Sequence, residues 1–341
     1  MQNGTTFKNK KVGVLMGGFS AAREVSIQTG EVVYQTLVDR GYKVSRIFVD
    51  RDVDLVLRQS GIEVAFLALH GRYGEDGCIQ GLLELMGIPY TGSGVTASAL
   101  AMNKVKSKEI FRLRNLPTPP YYVIDPSRLD SLVAEHGSFG FPVVVKPCSL
   151  GSSVGVAIVR NHHELRRACE DAFLFDSCVI VERYIRGMEI QVCVLDQQVL
   201  GAIEVVPKSD FFNYKAKTSR GHCEYHYPAR LSAARYQGVL TQALKAHQAL
   251  GCSGLTLVDM LLSNDGNEFL LEINSLPSFT STSLAPKIAH GAGMDFADLV
   301  EEILDRAALK SRGEAIHSVE DARPYTINAS ERRLAEASNP N

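Results

Sequence analysis

Residues 142–155 read Pro-Val-Val-Val-Lys-Pro-Cys-Ser-Leu-Gly-Ser-Ser-Val-Gly. An apolar run, Pro142 to Val145, ends on Lys146 and passes into a loop of small residues, Ser149 to Gly155. The β-branched run reads as a strand. Small loop residues let backbone N–H groups come close to anionic oxygens, and serine hydroxyls add donors. The spacing is not that of the GxxxxGK[ST] phosphate loop, and a plain turn fits the composition equally well. Lys146 sharpens the choice, because an ammonium at the end of an apolar strand is costly to bury without an anion. At an exposed sheet edge the same lysine would carry no function.

Upstream of this stretch the pattern is a strand alternating with a helix. Lys11–Met16 reads as a strand closed by Gly17-Gly18, and Ala22–Arg40 as a helix. Val44–Val49 and Val64–Leu69 are further strands, the latter closed by His70-Gly71, and Ile88-Pro89-Tyr90 is extended. This alternation indicates parallel βαβ construction, whose ligands sit beyond the strand carboxyl ends. Gly17-Gly18 and His70-Gly71 fall at those ends.

Lys104–Leu113 reads as a helix, Val179–Glu182 as a strand, and Val192–Leu195 and Val199–Val205 as two more. Leu231–Leu250 is an amphipathic helix. Leu255–Leu262 and Glu268–Ile273 read as a hairpin joined by Asn264-Asp265-Gly266. The expected class is α/β with mixed α+β character, in four parts: residues 1–102, 103–192, 193–310 and a loose polar tail, 311–341.

The 341 residues exceed one ordinary core, and 45% hydrophobic with 22% charged content is that of a soluble globular chain. A formal net charge of -2 gives no footprint for nucleic acid or for an anionic membrane. No run approaches the roughly 18 apolar residues that span a bilayer. Seven cysteines without a CxxC pair and without an export signal read as free thiols in a reducing cytoplasm.

Two further groups carry chemistry. Alternation puts Glu272 and Asn274 on one strand face, and antiparallel pairing brings Asp259 opposite that end. Two carboxylates and an amide oxygen suit hard-oxygen ligation of Mg²⁺ held jointly with phosphates, and solvent-facing strand residues are the alternative. Glu182 and Glu189 flank the turn Tyr184–Gly187. Carboxylates so placed accept hydrogen bonds from an adenine amino group and from ribose hydroxyls, although two surface glutamates fit the spacing as well.

Taken together, these residues are similar to the D-alanine–D-alanine ligase family. The resemblance lies in Met16-Gly17-Gly18-Phe19-Ser20-Ala21-Ala22-Arg23-Glu24-Val25-Ser26 and in Leu69-His70-Gly71-Arg72-Tyr73-Gly74-Glu75-Asp76-Gly77. It continues through Tyr90-Thr91-Gly92-Ser93-Gly94-Val95, Asn103-Lys104, Val145-Lys146-Pro147 and Gly151–Gly155. It ends in Asp259 and Leu271-Glu272-Ile273-Asn274-Ser275-Leu276-Pro277.

The resemblance implies an ATP-grasp fold of three α/β domains, with ATP held between the central and C-terminal ones. Lys104 and Lys146 would bind the nucleotide phosphates, and Gly151, Ser152 and Ser153 would close over them. Glu182, Tyr184 and Ile185 would lie at the adenine and Glu189 at the ribose. Lys217 would reach the γ-phosphate. Asp259, Glu272 and Asn274 would hold two Mg²⁺ ions, with Mn²⁺ as a substitute. His70, Ser152, Ser283 and Leu284 would occupy substrate positions, and Ser152, Lys217, His70 and Ser278 catalytic ones. The implied activity is ATP-dependent joining of a carboxylate to an amine through an acyl phosphate, in the cytoplasm, for peptidoglycan precursors. The implied partners are small amino-acid or carboxylic-acid substrates and a second copy of the chain in a homodimer, with no nucleic acid and no membrane.

Four positions depart from the family's pattern. Ala22 stands where the family has glutamate, Thr218 where it has tyrosine, Leu257 where it has arginine and Ser278 where it has glycine. All four fall at the amino-acid and oxyanion end, where Arg220 or Arg230 would have to replace the lost cation. Two other functions are therefore carried forward: a ligase for a different acid or amine, and a non-catalytic ATP-binding protein.

Overall fold

The computed structural model describes residues 6–151, 154–207 and 223–311. Its first sheet is built from β1 (Lys11–Gly17), α1 (Arg23–Asp39), β2 (Lys43–Val49), α2 (Val53–Ser60) and β3 (Val64–Leu67). The order is β2-β1-β3 and both pairings are parallel, with Val12 opposite Val44 and Val64. β1 is buried from Val12 to Gly17, as a parallel strand covered on both faces must be. Val12, Val14 and Met16 pack with Val33 and Leu37 of α1. Leu15 faces the other way, toward Leu57 and, from α3 (Cys78–Met86), Ile79 and Leu83. Tyr90 adds a parallel bridge to Ala65, as the extended reading of 88–90 anticipated.

The sharp turn after β1 needs glycine: Gly17 and Gly18 have φ of 91° and 83°. The Ser26 hydroxyl then ties two strand ends together. It accepts from Gly17 N at 2.8 Å and donates to Ala68 O at 2.7 Å.

Two helices, α4 (Val95–Met102) and α5 (Lys104–Leu113), lead into the second sheet. That sheet contains β4 (Tyr121–Ile124), β5 (Val143–Pro147), β6 (Ala157–Val159) and β7 (Val179–Arg183), with α6 (Leu132–His136) and α7 (His162–Phe173) in its connections. All its pairings are antiparallel, in the order β4-β7-β5-β6. At its end Cys148 and Cys178 form a disulfide, which corrects the expectation of seven free thiols. Pairing of Pro147 with Val179 brings the two Cα atoms to 5.6 Å, within bridging range, and no spacing in the sequence announces this.

The third sheet has the order β10-β9-β8-β11-β12. Its strands are β8 (Gly187–Leu195), β9 (Gln198–Pro207), β10 (Cys223–His226), β11 (Leu255–Ser263) and β12 (Glu268–Asn274). Ile190, Val192, Val258, Met260 and Leu262 face α8 (Ala233–Ala249) through Val239, Ala243 and Ala246, joined by Phe111 of α5. The opposite face turns polar toward β7. The chain then closes through α9 (Leu284–Gly291) and α10 (Phe296–Asp305) onto the core shared with the first sheet.

β8 runs unbroken from Gly187, five residues before the expected strand at Val192. The change of sheet therefore falls between β7 and β8, and the expected 192/193 boundary lies inside a strand. The polar tail, Ser152, Ser153, Lys217, Thr218 and Arg220 lie outside the described residues. Among the described residues no helix is long and apolar enough to cross a membrane.

Candidate active site

A cavity of about 360 Å³ opens between the second and third sheets. Its walls include Lys104, Lys146, Glu182, Tyr184, Ile185, Glu189, Asp259 and Glu272. The structure thus gathers in one place nearly all the described residues expected at the nucleotide.

The second sheet contributes a buried charge cluster. Glu182 lies opposite Val144 on β5, so Lys146 reaches it diagonally across the ladder. Lys146 Nζ is 2.8 Å from Glu182 Oε1, and Lys108 Nζ is 2.6 Å from Oε2. Glu182 is only 2% exposed, so it is not a surface glutamate, and Lys146 is not an edge lysine. The anion that Lys146 requires is supplied first by the chain itself. Burial alone would raise the Glu182 carboxyl, but the Lys108 and Lys146 ammoniums hold it below the ordinary carboxylate value. Burial pushes Lys108 down to about 8 against the pull of Glu182.

The third sheet contributes a row of oxygens. Asp259 is directly opposite Glu272 on one side and Gln191 on the other, so the three side chains share a face. A bulge between Asp259 and Met260 leaves Leu271 as the extra residue on β12 and keeps Glu272 and Asn274 on that face. Lys104 Nζ ties this row to the glycine-rich loop, 2.8 Å from Glu272 Oε2 and 2.6 Å from Leu150 O. Asn274 Oδ1 accepts from Leu276 N at 3.0 Å and keeps a second lone pair. Among the described residues no three His, Cys, Asp or Glu side chains gather at one point. Two facing carboxylates with an amide oxygen still fit a hard divalent cation that takes its remaining oxygens from phosphate and water.

The residues expected at the amino-acid end lie where the first sheet meets the loop after β12. His70 Nε2 is 3.3 Å from Thr29 Oγ1, which also accepts from Phe279 N at 3.1 Å. His70 Nδ1 is 3.5 Å from Glu75 Oε1. Ser278 Oγ and Ser283 Oγ are 2.7 Å apart, and Thr280 N donates to Ser283 Oγ at 2.9 Å. Leu284 opens α9 with its side chain buried, so its backbone N–H is the part available in the first helical turn.

Leu257, at the position of the family's arginine, is 8% exposed and belongs to the core cluster that holds Phe279 and Leu284. Arg230 is committed to another partner. Its guanidinium is engaged by both oxygens of Glu204, each at 2.7 Å, on the cavity wall.

Reading the sequence missed Lys108, Thr29, Glu75, Gln191 and Glu204. Lys108 had a signal, since Lys104 and Lys108 lie one turn apart on one helix face. Gln191 and Glu189 alternate on β8, but they interrupt the apolar run that marks the strand.

The chain is similar to known proteins over most of its length. A family model described as "D-ala D-ala ligase C-terminus" matches residues 110–305, and one described as "D-ala D-ala ligase N-terminus" matches residues 55–93. A D-alanine–D-alanine ligase of Geotalea uraniireducens is 53% identical over 303 residues, covering 89% of this chain and 97% of that protein. Among solved structures, the Bacillus anthracis D-alanine–D-alanine ligase complexed with ATP aligns with a TM-score of 0.75 at 35% identity, covering 87% of this chain and 97% of that one. The VanG D-Ala:D-Ser ligase of Enterococcus faecalis aligns with a TM-score of 0.76 at 28% identity, covering 86% and 98%.

Proposed function

Because this chain belongs to the D-alanine–D-alanine ligase family, we propose that the cavity between its second and third sheets is the site of ATP-driven amide formation. The chain has the ATP-grasp fold and is an ATP-dependent ligase that forms a carbon–nitrogen bond between small molecules. The observation that carries the assignment is the convergence of Lys104, Lys146, Glu182, Asp259 and Glu272 on one cavity.

Each residue has a part set by its place. Lys104 and Lys146 neutralise phosphate charge, and the N–H groups of the loop beginning at Gly151 add donors. Glu182 faces the adenine amino group and Glu189 the ribose hydroxyls, beside Tyr184 and Ile185. Asp259, Glu272 and Asn274 would hold Mg²⁺, which supplies charge neutralisation between the terminal phosphates. Lys104, which pairs with Glu272 here, would share its ammonium between that carboxylate and a bound phosphate. The γ-phosphoryl group passes from ATP to a carboxylate oxygen, leaving ADP; an amine then displaces inorganic phosphate from the acyl phosphate and loses a proton to give the amide. His70, Ser278, Ser283 and the Leu284 N–H orient the acid and amine. Ser152, Ser153 and Lys217 are assigned to the phosphate side by family resemblance. The same resemblance supports a three-domain organisation, a homodimer and a cytoplasmic place.

One observation favours a second reading of the substrate. Leu257 is packed in the core and Arg230 is held by Glu204, so among the described residues neither supplies a cation at the oxyanion. Ala22 likewise brings no carboxylate for an ammonium. An acid or amine other than D-alanine fits those changes better.

The test is phosphate release from ATP and Mg²⁺ with a panel of D-amino acids, other amino acids and simple carboxylic acids. D-Alanine-dependent release with a dipeptide product assigns the family's substrate. Release with another acid assigns the second reading, and silence across the panel contradicts ligase activity. Glu272→Gln should abolish turnover; full activity in that variant would remove the cation assignment.

A further inference from the structure

Lys108 is 0% exposed, is no part of the cavity wall, and has its Nζ 2.6 Å from Glu182 Oε2 and 2.6 Å from Thr118 Oγ1. We propose that Lys108 is a positioning residue for base selection: with Lys146 it fixes both oxygens of Glu182, so that the carboxylate meets the cavity as a pure acceptor and selects a purine bearing an exocyclic amino group over one bearing an oxo group. The proposal rests on the nucleotide reading of this cavity given above.

A fully buried ammonium costs several kcal/mol of desolvation, and an apolar side chain of the same length would fill the space without that cost. Packing is therefore a poor reason for a lysine here. What Lys108 does that methionine cannot is hold a second oxygen of Glu182. With Lys146 alone, the carboxylate could turn both oxygens onto one ammonium, and burial would favour its protonated form. A protonated Glu182 could donate to a 6-oxo group as readily as it accepts from a 6-amino group, and a rotated one would no longer aim an oxygen at the base. Two lysines remove both escapes. Oε1 accepts a hydrogen bond from Lys146, Oε2 is held in ion-pair contact by Lys108, and the fixed negative charge repels an oxo oxygen.

The arrangement also explains the helix face. Lys104 and Lys108, one turn apart on α5, grip Glu272 and Glu182 respectively. One helix thus holds an acid from the third sheet and an acid from the second.

The experiment is isothermal titration of ADP and IDP, each with Mg²⁺, into the full chain and into Lys108→Met, with melting temperature recorded for both. IDP differs at the base by an oxo group in place of the amino group. The wild type should prefer ADP by about tenfold or more, the scale of a charge-assisted hydrogen bond. Lys108→Met should bind ADP more weakly and lose most of the preference. A merely structural lysine would lower the melting temperature and leave the ADP:IDP ratio unchanged, and that result overturns the proposal. Should Lys108→Met fail to fold, Thr118→Val removes one of the two contacts that hold the lysine. It should lower the ratio in the same direction, and an unchanged ratio there also overturns the proposal. A wild type that binds neither nucleotide would instead remove the nucleotide reading on which the proposal stands.

Discussion

His247 on α8 is 1% exposed, and its Nδ1 lies 2.8 Å from Thr256 Oγ1. Burial pushes its imidazole down to about 4, whereas an unfolded chain protonates histidine near 6.5. Between those values the unfolded state binds the extra proton, so stability is full above about pH 6.5 and falls as the pH drops toward 4. The gap corresponds to about 3 kcal/mol once the pH is below both values. His247→Gln should lack that part of the acid slope, which urea unfolding at pH 7 and pH 4.5 would measure. Equal slopes in both proteins would show that the ring is not kept neutral by burial. Leu257 makes a second point at this scale. Leu257→Arg alone puts a guanidinium into an apolar core and should lower the melting temperature. Combined with Ala22→Glu and Thr218→Tyr it should raise any D-alanine-dependent phosphate release. No gain in the triple variant would mean that these positions do not set the substrate.

Gly187 shows how closely the elements are packed. A Cβ there would lie 2.0 Å from Leu262 O and 2.6 Å from its carbonyl carbon, so β8 and β11 can pair only around a glycine. Gly187→Ala should cost about 1–3 kcal/mol by forcing the strands apart. It should also weaken ADP binding, because Gly187 lines the cavity between the proposed adenine contacts and Glu189. Wild-type values of both quantities would contradict this. The same strand shows where reading the sequence fell short. The β1–α1–β2 alternation and the β11–β12 hairpin were legible because apolar runs bounded by turn residues mark each, although the bulge at Leu271 carries no sequence signal. β8 was read five residues short because Glu189 and Gln191 face a polar cleft, and the apolar signal begins only after them. Glu182 and Lys146 were legible as oddities, charged residues closing apolar strands, but not as partners. Nothing in one strand reports which strand will lie beside it. The Cys148–Cys178 disulfide was hidden for the same reason.

Across the whole molecule, charge is arranged around one cavity: the second sheet brings Lys146 and Glu182, the third brings the carboxylates of Glu189, Glu204, Asp259 and Glu272, and α5 adds Lys104. The family was recognisable from motifs, as were most of the residues that the fold gathers on one cavity wall, whereas the coupling of α5 to both sheets arises only when the chain is folded. Lys104 meets Glu272, and Lys108 meets Glu182, across contacts between separate elements. The amino-acid end was legible as a set of departures, and the fold adds the reason one of them cannot be undone locally: Leu257 is inside the core. The most direct measurement of the nucleotide assignment is a crystal structure with ADP and Mg²⁺ bound. Phosphates against Lys104 and Lys146, with a cation about 2.0–2.1 Å from oxygens of Asp259 and Glu272, is the expected result. ADP bound elsewhere, or in this cavity with both carboxylates turned from the phosphates, would contradict it.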